Sequence, residues 1–146
     1  MELRLVCVGK LREPFMRDGA EHYARRLKPY ARLELREVKS GPLELAGLEK
    51  ALAGCRLVYC LDRQGEAIDS EGLARKLASA MDRGLVPLGF AVGGADGLPA
   101  SFLGPQAPRL SFSKLTFPHE LFRVMLLEQL YRAFTILRGE PYHSGH

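Results

Sequence analysis

The sequence predicts an α/β domain built on a mostly parallel sheet. Three observations lead there. Strand-like alternation and helix-like stripes take turns along the whole chain, the pattern of repeated β–α units. Val86–Val92, VPLGFAV, is an almost continuous apolar run, as expected of a strand buried on both faces of a parallel sheet. The 146 residues, 47% hydrophobic and 26% charged, suit one ordinary globular domain, 1–146, with no repeat, low-complexity stretch or linker to divide it.

Taken in order, Glu2–Val8 reads as a strand, with Leu3, Leu5 and Cys7 alternating against Glu2, Arg4 and Val6 before Gly9. Residues 13–28 carry a helical stripe of Phe15, Met16, Ala20, Tyr23, Ala24 and Leu27. Gly19 weakens that helix slightly and Pro29 ends it. Leu33–Val38 alternates again as a strand, and residues 43–53 read as a second helix. Arg56–Leu61 is a short apolar strand, with Asp62-Arg63-Gln64-Gly65 as its exit turn. Asp69 or Ser70 caps a helix reaching Met81, with Leu73, Leu77 and Ala80 on one face. Beyond Val92, a loop through Gly104 and Pro108 leads to a short strand, Arg109–Phe112. Pro118 suits a helix N1 position and opens the longest helix, to about Leu137, with Gly139 past its end.

That last helix is short of polar residues. From Leu121 to Leu137 only Arg123, Glu128, Gln129, Arg132 and Thr135 are polar, too few for a helix with one face in water. Glu128 and Arg132 stand four apart and can pair along the axis. The expectation is a second subunit covering part of this helix; full burial within one chain is the alternative.

Composition excludes several classes. No apolar run approaches the ~20 residues of a membrane span. The opening MELRLVCVGK carries charges inside its apolar stretch and no small-residue cleavage site, so a signal peptide is not expected. Cys7, Cys55 and Cys60 show no CxxC spacing, and an odd count suits buried thiols in a reducing cytoplasm better than disulfides or a metal site. Net charge is +4 and is concentrated: residues 1–40 hold ten Lys/Arg against six Asp/Glu, and the rest hold eleven of each. A basic N-terminal third fits an acidic partner such as RNA, with a solvated helix face as the alternative. Lys10, Arg12, Arg17, Arg25 and Arg26 are its phosphate-binding candidates, supplying affinity rather than sequence choice.

The candidate site centres on FAVGGADGLP, residues 90–99, which leaves the carboxyl end of the buried strand, where α/β proteins place their binding loops. Gly93 and Gly94 can take positive φ and, lacking Cβ, let a ligand approach the backbone. The stretch is neither a Walker A loop, having no GK[ST] ending, nor a dinucleotide fingerprint. Leu61-Asp62-Arg63-Gln64-Gly65-Glu66 and Ser113-Lys114-Leu115-Thr116-Phe117-Pro118 also leave carboxyl ends of strands. Three such loops on one edge make a pocket rich in backbone N–H and C=O groups. It suits an adenosine better than a pyrophosphate, because no lysine-armed anion nest is present.

The run LSFSKLTFPHELFRVMLLEQLYRAFTILRGEPYH, with FAVGGADGL before it, LDRQGE earlier and LRLVCVGK at the start, resembles the RlmH family, bacterial large-subunit ribosomal RNA pseudouridine methyltransferases of the SPOUT superfamily. The resemblance covers essentially the whole chain and is strongest over its last 60 residues. It implies a SPOUT-type α/β fold with a C-terminal trefoil knot, working as a homodimer. It implies S-adenosylmethionine as cofactor, without a metal, held by Leu61, Gly93, Phe112, Ser113, Lys114, Leu115, Thr116 and Phe117. The implied substrate is a pseudouridine of 23S rRNA, methylated at N3 on the ribosome.

Methyl transfer from a sulfonium is an in-line displacement that needs near-attack geometry, and the N3 imide proton calls for a base or a hydrogen-bond acceptor. Tyr142 and His143, in the tail Glu140–His146, are the candidates to position or deprotonate the base; an ordered tail that only packs is the competing reading. Relatives commonly carry a basic residue soon after Tyr-His, where this chain has Ser144, Gly145 and His146, so that residue's role passes to His146 or is lost. His119 is read as a cap-region or packing residue and His22 as a surface one. A non-catalytic RNA-binding protein and a small nucleotide-binding oxidoreductase are the rival readings.

Overall fold

The computed structural model describes residues 1–102 and 104–144. Its elements are β1 (Glu2–Val8), α1 (Pro14–Leu27), β2 (Arg32–Val38), α2 (Glu44–Leu52), β3 (Leu57–Ala67), α3 (Ser70–Asp82), β4 (Leu88–Val92), β5 (Arg109–Ser111) and α4 (His119–Leu137). All five strands pair in parallel, in the order β2-β1-β4-β3-β5. The fully buried β4 runs through the middle, as its apolar sequence requires.

Alternation along the strands sends side chains into two cores. Leu3, Leu5, Cys7, Phe90 and Leu110 meet α1, α3 and α4 on one face. Val6, Val8, Cys60 and Ala91 meet Leu48, Ala51 and Leu52 of α2 and Phe102 on the other. Helix α4 lies against both α1 and α3. No position from His119 to Ile136 is fully exposed, so the chain itself absorbs much of this helix's apolar surface.

Caps and turns follow local chemistry. Asp69 is the N-cap of α3 and accepts from the Gly72 N–H at 2.7 Å. Gly139, at φ 66°, takes the left-handed turn that closes α4. Pro118 stands at the N-cap of α4 rather than one residue inside it.

The largest departure from expectation is in β3. The strand does not end at Leu61: it runs on to Ala67, with a break in its pairing to β5 between Leu61 and Glu66. Leu61 and Glu66 both register with Leu110, so residues 62–65 bulge out instead of turning away. Gly65 is what lets the bulge lie flat, since a Cβ there would meet the Arg109 carbonyl carbon at 2.6 Å. The three cysteines are free, and Cys7 and Cys60 are buried. Burial pushes the Cys7 thiol up to about 11, so it stays protonated and inert.

Candidate functional site

The chain leaving β4 crosses the end of β3 to lay β5 on its far side. The carboxyl ends of three adjacent strands therefore open into one cleft of about 420 Å³. Its walls come from Leu61–Arg63 of the β3 bulge, Val92–Leu98 after β4, and Leu110 to Phe117 between β5 and α4, with His119 and Phe122 at its floor. Seven of the eight expected cofactor residues line it: Leu61, Gly93, Phe112, Ser113, Leu115, Thr116 and Phe117; Lys114 is exposed and does not.

The walls are braced against each other. The Arg63 guanidinium donates to Thr116 Oγ1 at 3.1 Å, tying the bulge to the β5–α4 loop. Within that loop, Ser111 Oγ donates to the Ser113 carbonyl at 3.1 Å, and Ser113 Oγ accepts from the Leu115 N–H at 3.0 Å. Phe112 and Phe122 pack with ring centroids 5.5 Å apart. Asp62, beside Arg109 at 3.7 Å, and exposed Asp96 supply the cleft's carboxylates.

The cleft-lining Gly93 also has a job within its own loop. A Cβ on Gly93 would lie 2.3 Å from the Gly97 carbonyl carbon and 2.5 Å from the Leu98 nitrogen. Gly93 is therefore required so that the loop can fold back on itself: Gly97 donates its N–H to the Gly94 carbonyl at 3.0 Å, closing a tight turn. The positive φ of this loop, 77°, falls at Gly97 rather than at Gly93 or Gly94.

The first turns of α4 anchor the neighbouring N-terminal loop. Glu120 Oε1 accepts the N–H groups of Arg12 at 2.7 Å and Glu13 at 3.2 Å, satisfying donors at the start of α1. Those two bonds hold the Glu120 carboxyl below its usual range. Buried Arg123 donates to Glu37 at 2.7 Å and to the Gly9 carbonyl at 2.8 Å. Lys10 and Arg12 are thereby presented beside the Gly94–Pro99 loop, in a groove that shares Gly94–Leu98 and His119 with the cleft. All five basic candidates are exposed. Two are engaged: Arg17 donates to the Leu11 and Arg12 carbonyls, and Arg26 sits over the Tyr131 ring, 5.5 Å from its centroid.

Tyr142 and His143 come together elsewhere, on a network built from the middle of α4 and the start of α3. Glu128 is its hub. It accepts from the Arg132 guanidinium at 2.8 Å, the Tyr142 hydroxyl at 2.8 Å and Gln129 at 2.9 Å. Burial and the bond to Glu128 push the Tyr142 phenol well up, so it stays protonated and acts as a donor. Arg132 also stacks over the Tyr142 ring at 4.8 Å.

His143 Nδ1 lies 3.0 Å from Arg132 Nη1 and its Nε2 lies 2.8 Å from Glu71 Oε1. Because arginine can only donate, Nδ1 must accept and Nε2 carries the proton, which fixes a neutral tautomer with both nitrogens in use. That bond also holds the Glu71 carboxyl low. Neither tail residue lines the cleft: Arg132 lies ten residues beyond Phe122, roughly 15 Å along the helix. His119 lines the cleft at the start of α4, and His22 is exposed. His146 lies outside the described residues.

Sequence reasoning missed Glu71, Glu120 and the bracing role of Arg63. Each acts through a partner more than 50 positions away, and no local pattern signals that. Among the described residues there is no group of three or more His, Cys, Asp or Glu placed to hold a metal, and no helix long and apolar enough to cross a membrane.

Comparison with known proteins agrees with this geometry. Residues 1–143 match the model of the predicted SPOUT methyltransferase family. The ribosomal RNA large subunit methyltransferase H of Geotalea uraniireducens is 40% identical over 152 aligned positions, covering 98% of this chain and 99% of that protein. Among solved structures, a probable methyltransferase from Bordetella pertussis Tohama I superposes with a TM-score of 0.63 at 16% identity, over 91% of this chain and 96% of the other. A probable methylase family protein from Haemophilus influenzae Rd KW20 gives 0.56 at 13%, over 94% and 66%. At such identities these two likenesses speak for the fold. Carried by the family match over nearly its full length and by the close relative, the chain belongs to the SPOUT methyltransferases, in the family of the large-subunit ribosomal RNA methyltransferase H.

Proposed function

We propose that this chain is an S-adenosylmethionine-dependent methyltransferase of large-subunit ribosomal RNA that methylates N3 of a pseudouridine in 23S rRNA on the ribosome. The observation that carries the reading is the convergence of three strand-end loops on one braced cleft in a chain matched end to end by a large-subunit methyltransferase.

The cleft suits such a donor chemically. At about 420 Å³ it falls within the size range of small-molecule sites. Leu61, Leu110, Phe112, Leu115 and Phe117 offer an apolar seat for an adenine ring, while exposed Asp96 brings negative charge toward a ligand with a positive sulfonium and ammonium. Lys114 is exposed and does not line the cleft, in keeping with a ligand that carries no phosphate. The bound cofactor supplies a methyl group already activated by positive sulfur, so the protein's tasks are alignment and removal of the N3 proton.

Tyr142 and His143 fit alignment better than deprotonation in the docked tail, since the phenol is held protonated and both imidazole nitrogens are occupied. Their distance from the cleft along α4 supports a homodimer in which the tail of one subunit completes the site of the other. The same reading takes the chain as one cytoplasmic domain over 1–146, with a trefoil knot in the segment that lays down β5 and α4. Lys10, Arg12, Arg17, Arg25 and Arg26 serve as phosphate contacts, Lys10 and Arg12 nearest the cleft.

Titration calorimetry tests the cofactor assignment. S-adenosylmethionine should bind once per chain in the micromolar range (about 8 kcal/mol) and NADH should give no heat. Binding of neither would remove both enzymatic readings and leave the RNA-binding one.

A further inference from the structure

We infer that the outer face of α3 is a track for the backbone of the RNA substrate, leading to the C-terminal network. The inference rests on the reading of the chain as an RNA methyltransferase. A groove of about 580 Å³ runs along this helix, bounded by Tyr59 and residues 66–69 on one side and by Gly72, Arg75, Lys76, Ser79 and Arg83 on the other.

Arg75, Ser79 and Arg83 recur every four residues, which puts them on one stripe about 6 Å apart per step. All three are exposed. Successive phosphates of an extended strand have a comparable spacing, and two guanidiniums with a hydroxyl between them match that chemistry.

The charges around the groove leave these arginines available. Glu66 is taken by Lys76 at 3.0 Å, and Lys76 also lies 5.7 Å from the Tyr59 ring centroid. The Asp69 carboxylate is spent on the Gly72 N–H at 2.7 Å. Glu71, on the turn before Arg75, bonds to His143 at 2.8 Å. Among the described residues, neither the Arg75 nor the Arg83 side chain has a hydrogen bond or an ion pair; the Arg75 charge is felt by Glu71 one turn away.

The stripe therefore begins one turn from the contact that docks the tail. An RNA strand on Arg83, Ser79 and Arg75 arrives at His143 and Tyr142. Here the basic N-terminal third is not the whole electrostatic footprint. Two arginines in the charge-neutral remainder of the sequence carry part of it, visible only once α3 aligns them.

The test measures binding of the full chain to purified bacterial large ribosomal subunits across a salt series. Arg75→Gln/Arg83→Gln is compared with a charge-matched exposed pair on and just after α2, Lys50→Gln/Arg56→Gln. Loss of two phosphate contacts lowers the slope of log K against log salt by about 1.4 to 1.8. We expect that drop in the arginine pair alone, with S-adenosylmethionine affinity and melting temperature at wild-type values, because neither arginine lines the cleft or holds a partner. An unchanged slope, or an equal drop in the α2 pair, overturns the track. Wild-type protein without salt-dependent binding would overturn the RNA reading itself and the track with it, an outcome distinct from a variant that matches a binding wild type.

Discussion

Replacing Gly93 with valine is expected to abolish S-adenosylmethionine binding, weakening it at least ~100-fold, or about 2.7 kcal/mol. The cause is the loop's own backbone. A single Cβ at this position falls 2.3 Å from the Gly97 carbonyl carbon, so the Gly94–Gly97 turn cannot close over it and that wall of the cleft is displaced. The strain should also cost roughly 1–3 kcal/mol of stability, read as a fall of a few degrees in melting temperature. The proposed dimer should survive, since the clash is with the loop's own backbone. Gly93→Ala separates this account from one in which the ligand alone fills the space. The clash is already complete at Cβ, so alanine should be nearly as damaging as valine. Gly94→Ala should be much milder, because its Cβ would come no nearer than 3.3 Å to Val8 Cγ1 and 3.7 Å to the Val8 carbonyl oxygen. Normal affinity in Gly93→Val would refute the assignment of this loop to the cofactor.

Truncation after Gly139 should have the opposite profile. It removes Tyr142 and His143 but leaves the cleft residues, the Glu128–Arg132 pair and the Gly139 turn that closes α4. Cofactor affinity should stay within about threefold of wild type, a change under 1 kcal/mol. Methyl transfer should fall by at least ~100-fold, the size of loss expected when groups that align the reacting atoms are removed. Mixing the truncated chain with a cleft-dead Gly93→Val chain then tests the composite site. If one subunit's tail serves the other's cleft, mixed dimers regain part of the activity that each parent lacks. A fully active truncation would exclude Tyr142 and His143 from the reaction.

Much of the scaffold was legible because local pattern and fold agreed. The alternation in β1, the stripe of α1, the Asp69 cap and the apolar run of β4 all appear in the structure within a few residues of expectation. The edge of the sheet carrying the cleft was also legible, since loops at carboxyl ends of parallel strands share one side. What could not be read was set by partners far away in sequence. Asp62–Gly65 looks like a turn, and only the return of β5 to register with Glu66 and Ala67 makes it a bulge within a longer strand. Gly93 looked like a place for a ligand, and the fold-back of Gly97 gives it a nearer neighbour. Glu120 and Arg123 read as ordinary charges on an apolar helix, yet they hold the loop after β1 in place. Tyr142 and His143 were legible as a pair. Their shared attachment to Glu128, Arg132 and Glu71 was not, because it joins three segments that no periodicity connects.

The central claim is the transfer of a methyl group to a pseudouridine of large-subunit RNA. Its most direct measurement is the incorporation of labelled methyl from S-adenosylmethionine into ribosomes that lack the modification, with and without pseudouridine at the target position. The account predicts one methyl group per ribosome, in large-subunit RNA, at N3 of the pseudouridine and dependent on its presence. No incorporation into large-subunit RNA, or equal incorporation without the pseudouridine, would contradict it.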